Sequence, residues 1–289
     1  MRWKNLRASE NTERRRGGGR GAAAKGGLGA LIMAVIAIFV FKQDPGAVLQ
    51  SLVESQGTQQ QADKGDTSEV DEFVQRIQGS TEDVWTELFR QRGERYKLPK
   101  LINYDHRTPM KTGGVVDARM GPFYLPAEET IYIDTAFFDQ MDRELGGGGD
   151  FAYAYVIAHE VGHHVQKLKG MTDRVHRARG TIPDAAYNRL SVRLKLQADF
   201  YAGVWAHHAN KDAIANDGQP LLEEGDIEEA MRSAKAIGDD TLQQNAGREV
   251  DPETFNHGTS EQRMRWFLKG LKTGDPDEGD TFNTPYDHL

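Results

Sequence analysis

The stretch FAYAYVIAHEVGHHVQKLKG, residues 151–170, decides the fold. Tyr155, Ile157, Ala158, Val161 and Val165 recur at helical spacing, which predicts a buried amphipathic helix. Asp150, just ahead of the run, is the expected N-cap, and Gly170 the terminator. Inside the run His159, Glu160 and His163 spell HExxH. Residues four apart stand one turn apart on the same helix face, so both imidazoles can reach one metal ion with Glu160 at its edge. A bound ion lowers the pKa of its water, and the carboxylate takes the proton, giving a hydroxide that attacks a polarised peptide carbonyl. This reading predicts Zn2+ as cofactor, His159 and His163 as ligands and Glu160 as general base. His164 points about 100° away from His163 and is expected at the surface or behind the ligands.

Outward from the helix toward the N-terminus, four glycines at 146–149 break the chain. TIYIDTAFF at 130–138 alternates as a half-buried edge strand able to align an extended substrate, and Gly121–Pro122 reads as a turn. Ser68 is expected to cap a helix to about residue 78, and Ser80 with Asp83 to open a second one ending near Gly93. Toward the C-terminus a helix is predicted over about 186–210, with Lys195 and Asp199 on one face. A zinc hydrolase needs a third protein ligand and an open position for water. Asp199 is the candidate, with two roles open: direct ligand, or acceptor of a hydrogen bond from a ligand histidine. Thr259 and Gln262 fit a capping box for the last helix.

The chain has 289 residues, a net charge of −8 and no cysteine. Disulfides, thiolate zinc sites, iron–sulfur clusters and cysteine nucleophiles are thereby excluded, which leaves histidine and carboxylate donors for a metal. Residues 1–25 carry eight basic side chains against Glu10 and Glu13, a net of +6, so the remainder is strongly acidic. The acidic body predicts no nucleic-acid partner. GGLGALIMAVIAIFVF at 26–41 carries no charge or polar side chain. With its basic N-terminal flank it predicts a single-pass membrane helix, the N-terminus cytoplasmic and the body extracytoplasmic. Residues 42–68 include a polar, glutamine-rich stretch that reads as a linker.

The motifs GPFYLPAEETIYID (121–134), AHEVGHHVQ (158–166), LQADFYAGVWAHH (196–208), AIGDDTLQ (236–243) and FNHGTSEQRMRWFLKG (255–270) resemble the neutral zinc metallopeptidases, whose bacterial members include the YpfJ group. The resemblance runs from roughly residue 70 to the C-terminus and extends, through HExxH, to HtpX-like zincin peptidases. It implies zinc held by His159 and His163, Glu160 as base, and a third ligand from the glutamate of an ELQAD motif. Here that motif reads Lys195-Leu196-Gln197-Ala198-Asp199, so a lysine stands where the ligand is expected. The resemblance also gives His257 a role at the developing oxyanion, with a capping or packing role as the alternative. Arg263 is a candidate partner for an acidic group behind the ligands. Relatives tend to carry cysteines near the positions of Leu125 and Phe200, and this chain has none.

The expected architecture is mainly α with a small β element (α+β), a zincin-like metallopeptidase domain behind a single N-terminal transmembrane helix. Its parts are a basic cytoplasmic head (1–25), the transmembrane helix (26–41), a polar linker (42–68) and the metallopeptidase-like domain (69–289). The expected function is membrane-anchored peptide-bond hydrolysis, with Glu160 and His257 catalytic, His159, His163 and Asp199 on zinc, and a peptide or protein substrate and membrane lipid as partners. The alternative is a catalytically weak or inactive homologue acting as a membrane-anchored binding or scaffold protein, because Lys195 replaces the glutamate ligand.

Overall fold

In the structure, a computed structural model, the described residues are 1–15, 67–117, 120–138, 141, 149–236, 238–245 and 250–289. They form a mainly helical fold with a minor sheet. Helix α1 (Thr67–Gln91) is continuous where the sequence predicts two helices. Gly79, between the two expected helices, is a notch: a Cβ there would run into the backbone oxygen of Arg7. The ~1 kcal/mol that glycine costs a helix interior is offset by the segment it admits.

Helix α2 (Asp150–Leu168) carries HExxH, and fifteen of its nineteen residues are buried, so it is the central element rather than a surface helix with one apolar stripe. Its N-terminus is capped by Glu229, which accepts the Phe151 amide, while Asp150 accepts the Trp3 indole N–H at 2.9 Å. After α3 (Met171–Ala178), the long α4 (Asp184–Asp217) lies against α2. A Cβ on Gly162 of α2 would stand 2.9 Å from the Ala198 carbonyl of α4, which shows how closely the two backbones approach. The chain continues through α5 (Asp226–Ala236) and α6 (Asp239–Asn245) to α7 (Ser260–Thr273), which opens with the full Thr259–Gln262 capping box. Gly203 and Gly270 let α4 and α7 meet, since a side chain on either would strike the carbonyl of Phe267 or Phe200.

One sheet runs β1 (Thr12–Arg15), β2 (Lys100–Tyr104), β6 (Thr130–Asp134), β5 (Phe123–Leu125), with a separate hairpin of β3 (Arg107–Pro109) and β4 (Val115–Asp117). β1, β2 and β6 are parallel and β5 is antiparallel to β6. The strand expected at the edge, β6, is therefore central, with all five residues buried, and the short β5 is the edge beside α2.

The topology expected of the N-terminal region needs correction. Among the described residues no helix is long and apolar enough to cross a membrane, and the run at 26–41 lies outside them. Residues 1–15 lie on the body itself. Trp3 is buried edge-to-face on Phe73 of α1, and Thr12 to Arg15 pair residue by residue with Leu101 to Tyr104. Buried Glu82 accepts Ser9, Asn11 and Arg7, and Arg14 reaches Asp71 at 3.0 Å and Asp105 at 2.6 Å. A single crossing between residues 15 and 67 would put these hydrogen-bonded partners on opposite faces of a bilayer. The single-pass anchor, the split into cytoplasmic head and extracytoplasmic body, and the lipid partner that came with them are therefore dropped. Charge complementarity between basic head and acidic body is satisfied within one fold.

Candidate functional site

The site lies where the HExxH face of α2 meets α4, the α6–α7 turn and β5. Gln166, one turn after His163, is the first fastener. Its amide donates to the Leu194 carbonyl at 2.7 Å and to Gln197 Oε1 at 3.0 Å, so its own Oε1 accepts from His163 Nδ1 at 2.8 Å. With Nδ1 donating, His163 Nε2 holds a lone pair, and this atom is buried with no partner among the described residues. His159 donates through Nδ1 to Asp199 at 2.7 Å, which likewise leaves a lone pair on Nε2. The two rings stand 4.8 Å apart, nearly perpendicular. Burial lowers both imidazole pKa values, that of His159 to about 4 against the opposing pull of Asp199, so both rings are neutral at pH 7.

Asp199 stands behind His159. Its Oδ1 accepts from Tyr155 Oη at 2.5 Å, His159 Nδ1 and Arg263 Nη2 at 3.0 Å, and its Oδ2 from Arg263 Nε at 2.9 Å. Burial works against its charge, but Arg263 and His159 outweigh burial and hold the carboxyl well below the usual range. Of the two roles open to Asp199, the geometry therefore shows acceptance from His159. Glu160 is 6% exposed and accepts the Tyr124 backbone amide from β5. Burial pushes its carboxyl up to about 7, with the nearby Lys195 charge opposing the shift.

His164, expected at the surface or behind the ligands, is fully buried. Its Nε2 donates to the Lys97 carbonyl at 2.6 Å and its Nδ1 accepts from Tyr124 Oη at 2.9 Å, which ties β5 to α2. His257 is half-buried, its Nδ1 3.3 Å from Asp239. Asp239 Oδ2 also accepts the backbone amides of Asn256, His257 and Gly258 at 2.8, 2.6 and 3.1 Å, clamping the turn before α7. The sequence gives no site role to Gln166, Gln197 or Asp239, and places Tyr155 only on the buried face of its helix. The spacing of Gln166, three residues after His163 on one helix face, was the readable signal.

Lys195 lies at the same site. It lies one turn before Asp199 on α4, between Leu194 and Ala198, which both meet α2. It is half-buried, and its ammonium has no hydrogen-bond or ion-pair partner among the described residues. Its charge is felt by His159, Glu160, His163 and His257.

These residues do not fit zinc. Two imidazole lone pairs are available, but the third side of the cleft presents an ammonium, which has no lone pair to give and repels a cation. Among the described residues no group of three or more His, Cys, Asp or Glu side chains is placed to hold a metal ion. The expectation of Zn2+ held by His159, His163 and Asp199, and of hydrolysis by zinc-activated water, is corrected accordingly.

Comparison with known proteins agrees with the motifs. The profile of a family described as "Putative neutral zinc metallopeptidase" matches residues 1–282. The YpfJ protein of Escherichia coli (strain K12) is 44% identical over 294 residues, covering 98% of this chain and 99% of its own. An uncharacterized protein of Mycobacterium tuberculosis (strain H37Rv) is 43% identical over 175 residues, covering 59% of this chain and 58% of its own. No solved structure matches.

Proposed function

The chain belongs to the neutral zinc metallopeptidase family, and on that premise we propose that it engages peptide or protein segments in the cleft between α2, α4 and β5 without metal chemistry. Family membership supports a peptide or protein as the partner. The observation that carries the metal-free reading is the donor set, two neutral imidazoles beside the ammonium of Lys195, which has no partner among the described residues. In this reading the scaffold is zincin-like, with β5 as the edge along which an extended segment lies and Glu160 and His257 as the polar groups it meets. Residues 69–289 are the peptidase-like unit, completed by the docked residues 1–15.

The test is fluorescein-labelled β-casein with the purified full chain. Binding raises its anisotropy, and no acid-soluble fluorescence is released. Fragment release that Glu160→Gln abolishes would overturn the metal-free, non-hydrolytic reading, and absence of any casein binding would overturn the peptide-binding one.

A further inference from the structure

The cleft holds two polar groups with complementary needs. His163 Nε2 is a buried acceptor with no donor among the described residues, a state that costs about 1–3 kcal/mol while it lasts. Lys195 Nζ is a three-donor cation with no acceptor among the described residues, on the facing helix. The other cation of the cleft, Arg263, is committed to Asp199 and Tyr155. Both imidazoles are fixed so that only their Nε2 lone pairs face the cleft, because Asp199 and Gln166 hold the Nδ1 protons.

Charge points the same way. A divalent ion plus the single carboxylate that completes a two-histidine site amounts to one net positive charge. One ammonium brings that same charge on a side chain. Its three N–H bonds and its Cε also describe a tetrahedron, so two lone pairs and one further acceptor are satisfied together.

We propose that, when a peptide segment binds, the Lys195 ammonium turns to the two imidazoles, with which it makes no hydrogen bond in the structure, and replaces both the ion and its third ligand, donating to the Nε2 atoms of His159 and His163 and to a backbone carbonyl oxygen of the peptide. The site is a carbonyl receptor that works without metal. Water is not activated there, since an ammonium holds no water as a Lewis acid does. This inference rests on the peptide-binding reading above and names the contact by which the peptide is held.

The test has two arms on the full chain. In the first, wild type and Lys195→Glu are incubated with zinc sulfate, desalted and analysed for metal. Wild type retains essentially none, while Lys195→Glu retains about one zinc per chain, as a site with two histidines and a carboxylate does. One zinc per wild-type chain overturns the proposal, whether or not Lys195→Glu folds.

In the second arm, anisotropy of labelled β-casein is measured with wild type and Lys195→Met, with and without EDTA. Wild-type binding is unchanged by EDTA, and Lys195→Met weakens it about 10- to 100-fold, the loss of one charge-assisted hydrogen bond. The methionine variant is checked by far-UV circular dichroism. If it does not fold, the EDTA comparison on wild type still decides. Binding that EDTA abolishes, or that a folded Lys195→Met retains, overturns the lysine's role. No casein binding by wild type under any condition removes the peptide-binding reading instead, and the carbonyl contact with it.

Discussion

Asp199→Asn removes one charge from the centre of the molecule and keeps the side-chain shape. The carboxylate accepts four hydrogen bonds, from Tyr155 at 2.5 Å, His159 at 2.7 Å and Arg263 at 2.9 and 3.0 Å. Asp199 is fully buried and Arg263 only 3% exposed, so solvent screens neither. Had the pair been on the surface, its loss would cost under ~1 kcal/mol. Buried, the loss of one partner strands the other's charge and costs about 3–5 kcal/mol. Against a total stability of about 5–15 kcal/mol this leaves the variant folded with little margin, or unfolded.

The measurement is urea unfolding followed by tryptophan fluorescence at neutral pH. Combining Asp199→Leu with Arg263→Met removes both charges of the pair and should recover most of the loss, with the imidazole of His159 free to turn. The acid limb gives an independent check. Because the folded carboxyl titrates well below its unfolded value, its contribution is fully present above about pH 4 and is lost as pH falls below that. Wild type should therefore destabilise more steeply than Asp199→Asn in that acid range. A loss below about 1 kcal/mol for Asp199→Asn, or a double variant no better than the single one, would refute the view that a buried charge is stranded.

Three further outcomes follow from the same geometry. Gly270→Ala places a Cβ against the Phe200 carbonyl where α4 and α7 touch, so it should abolish soluble expression or cost several kcal/mol of urea stability; near-wild-type behaviour would mean the helices part freely. Trp3→Ala should cost about 3–5 kcal/mol and speed amide exchange at Leu101–Tyr104, which pair with β1, while unchanged exchange there would show that the head does not hold the sheet edge. Glu160→Gln tests the buried carboxyl: with its folded pKa raised to about 7, wild type loses stability as pH rises from about 4.5 through 7. The variant should therefore gain on wild type by up to about 3 kcal/mol between about pH 5 and about pH 8, and a constant difference across that range would refute the shift.

The helix of residues 150–168 was legible because its signals are local: apolar spacing, paired histidines and a glycine beyond its end. The capping box at Thr259 and Gln262 was legible for the same reason. The docking of residues 1–15 was not. Arg7 and Arg14 look like solvated charges when read with their neighbours, and their acceptors Glu82 and Asp71 lie more than fifty residues away. Gly79 and Ser80 imitate a helix break, and only the Arg7 backbone above them explains the glycine. The rank of β6 within the sheet was hidden likewise, since its parallel neighbour β2 lies outside any local pattern. At the site, Lys195 was visible as a departure, whereas the Asp239 clamp on the turn at 256–258 depends on backbone amides that carry no residue signature.

The side chains that orient the imidazoles also hold the helices together. Gln166 joins α2 to two residues of α4, Asp199 joins α4 to Tyr155 and His159 of α2 and to Arg263 of α7, and His164 joins α2 to β5. Removing any of them would strand buried polar groups and cost stability whether or not a metal is ever bound. In this chain the HExxH face and the residues around it therefore contribute to folding in their own right. Lys195 is different, because it has no hydrogen-bond or ion-pair partner among the described residues and acts on His159, Glu160, His163 and His257 through its charge.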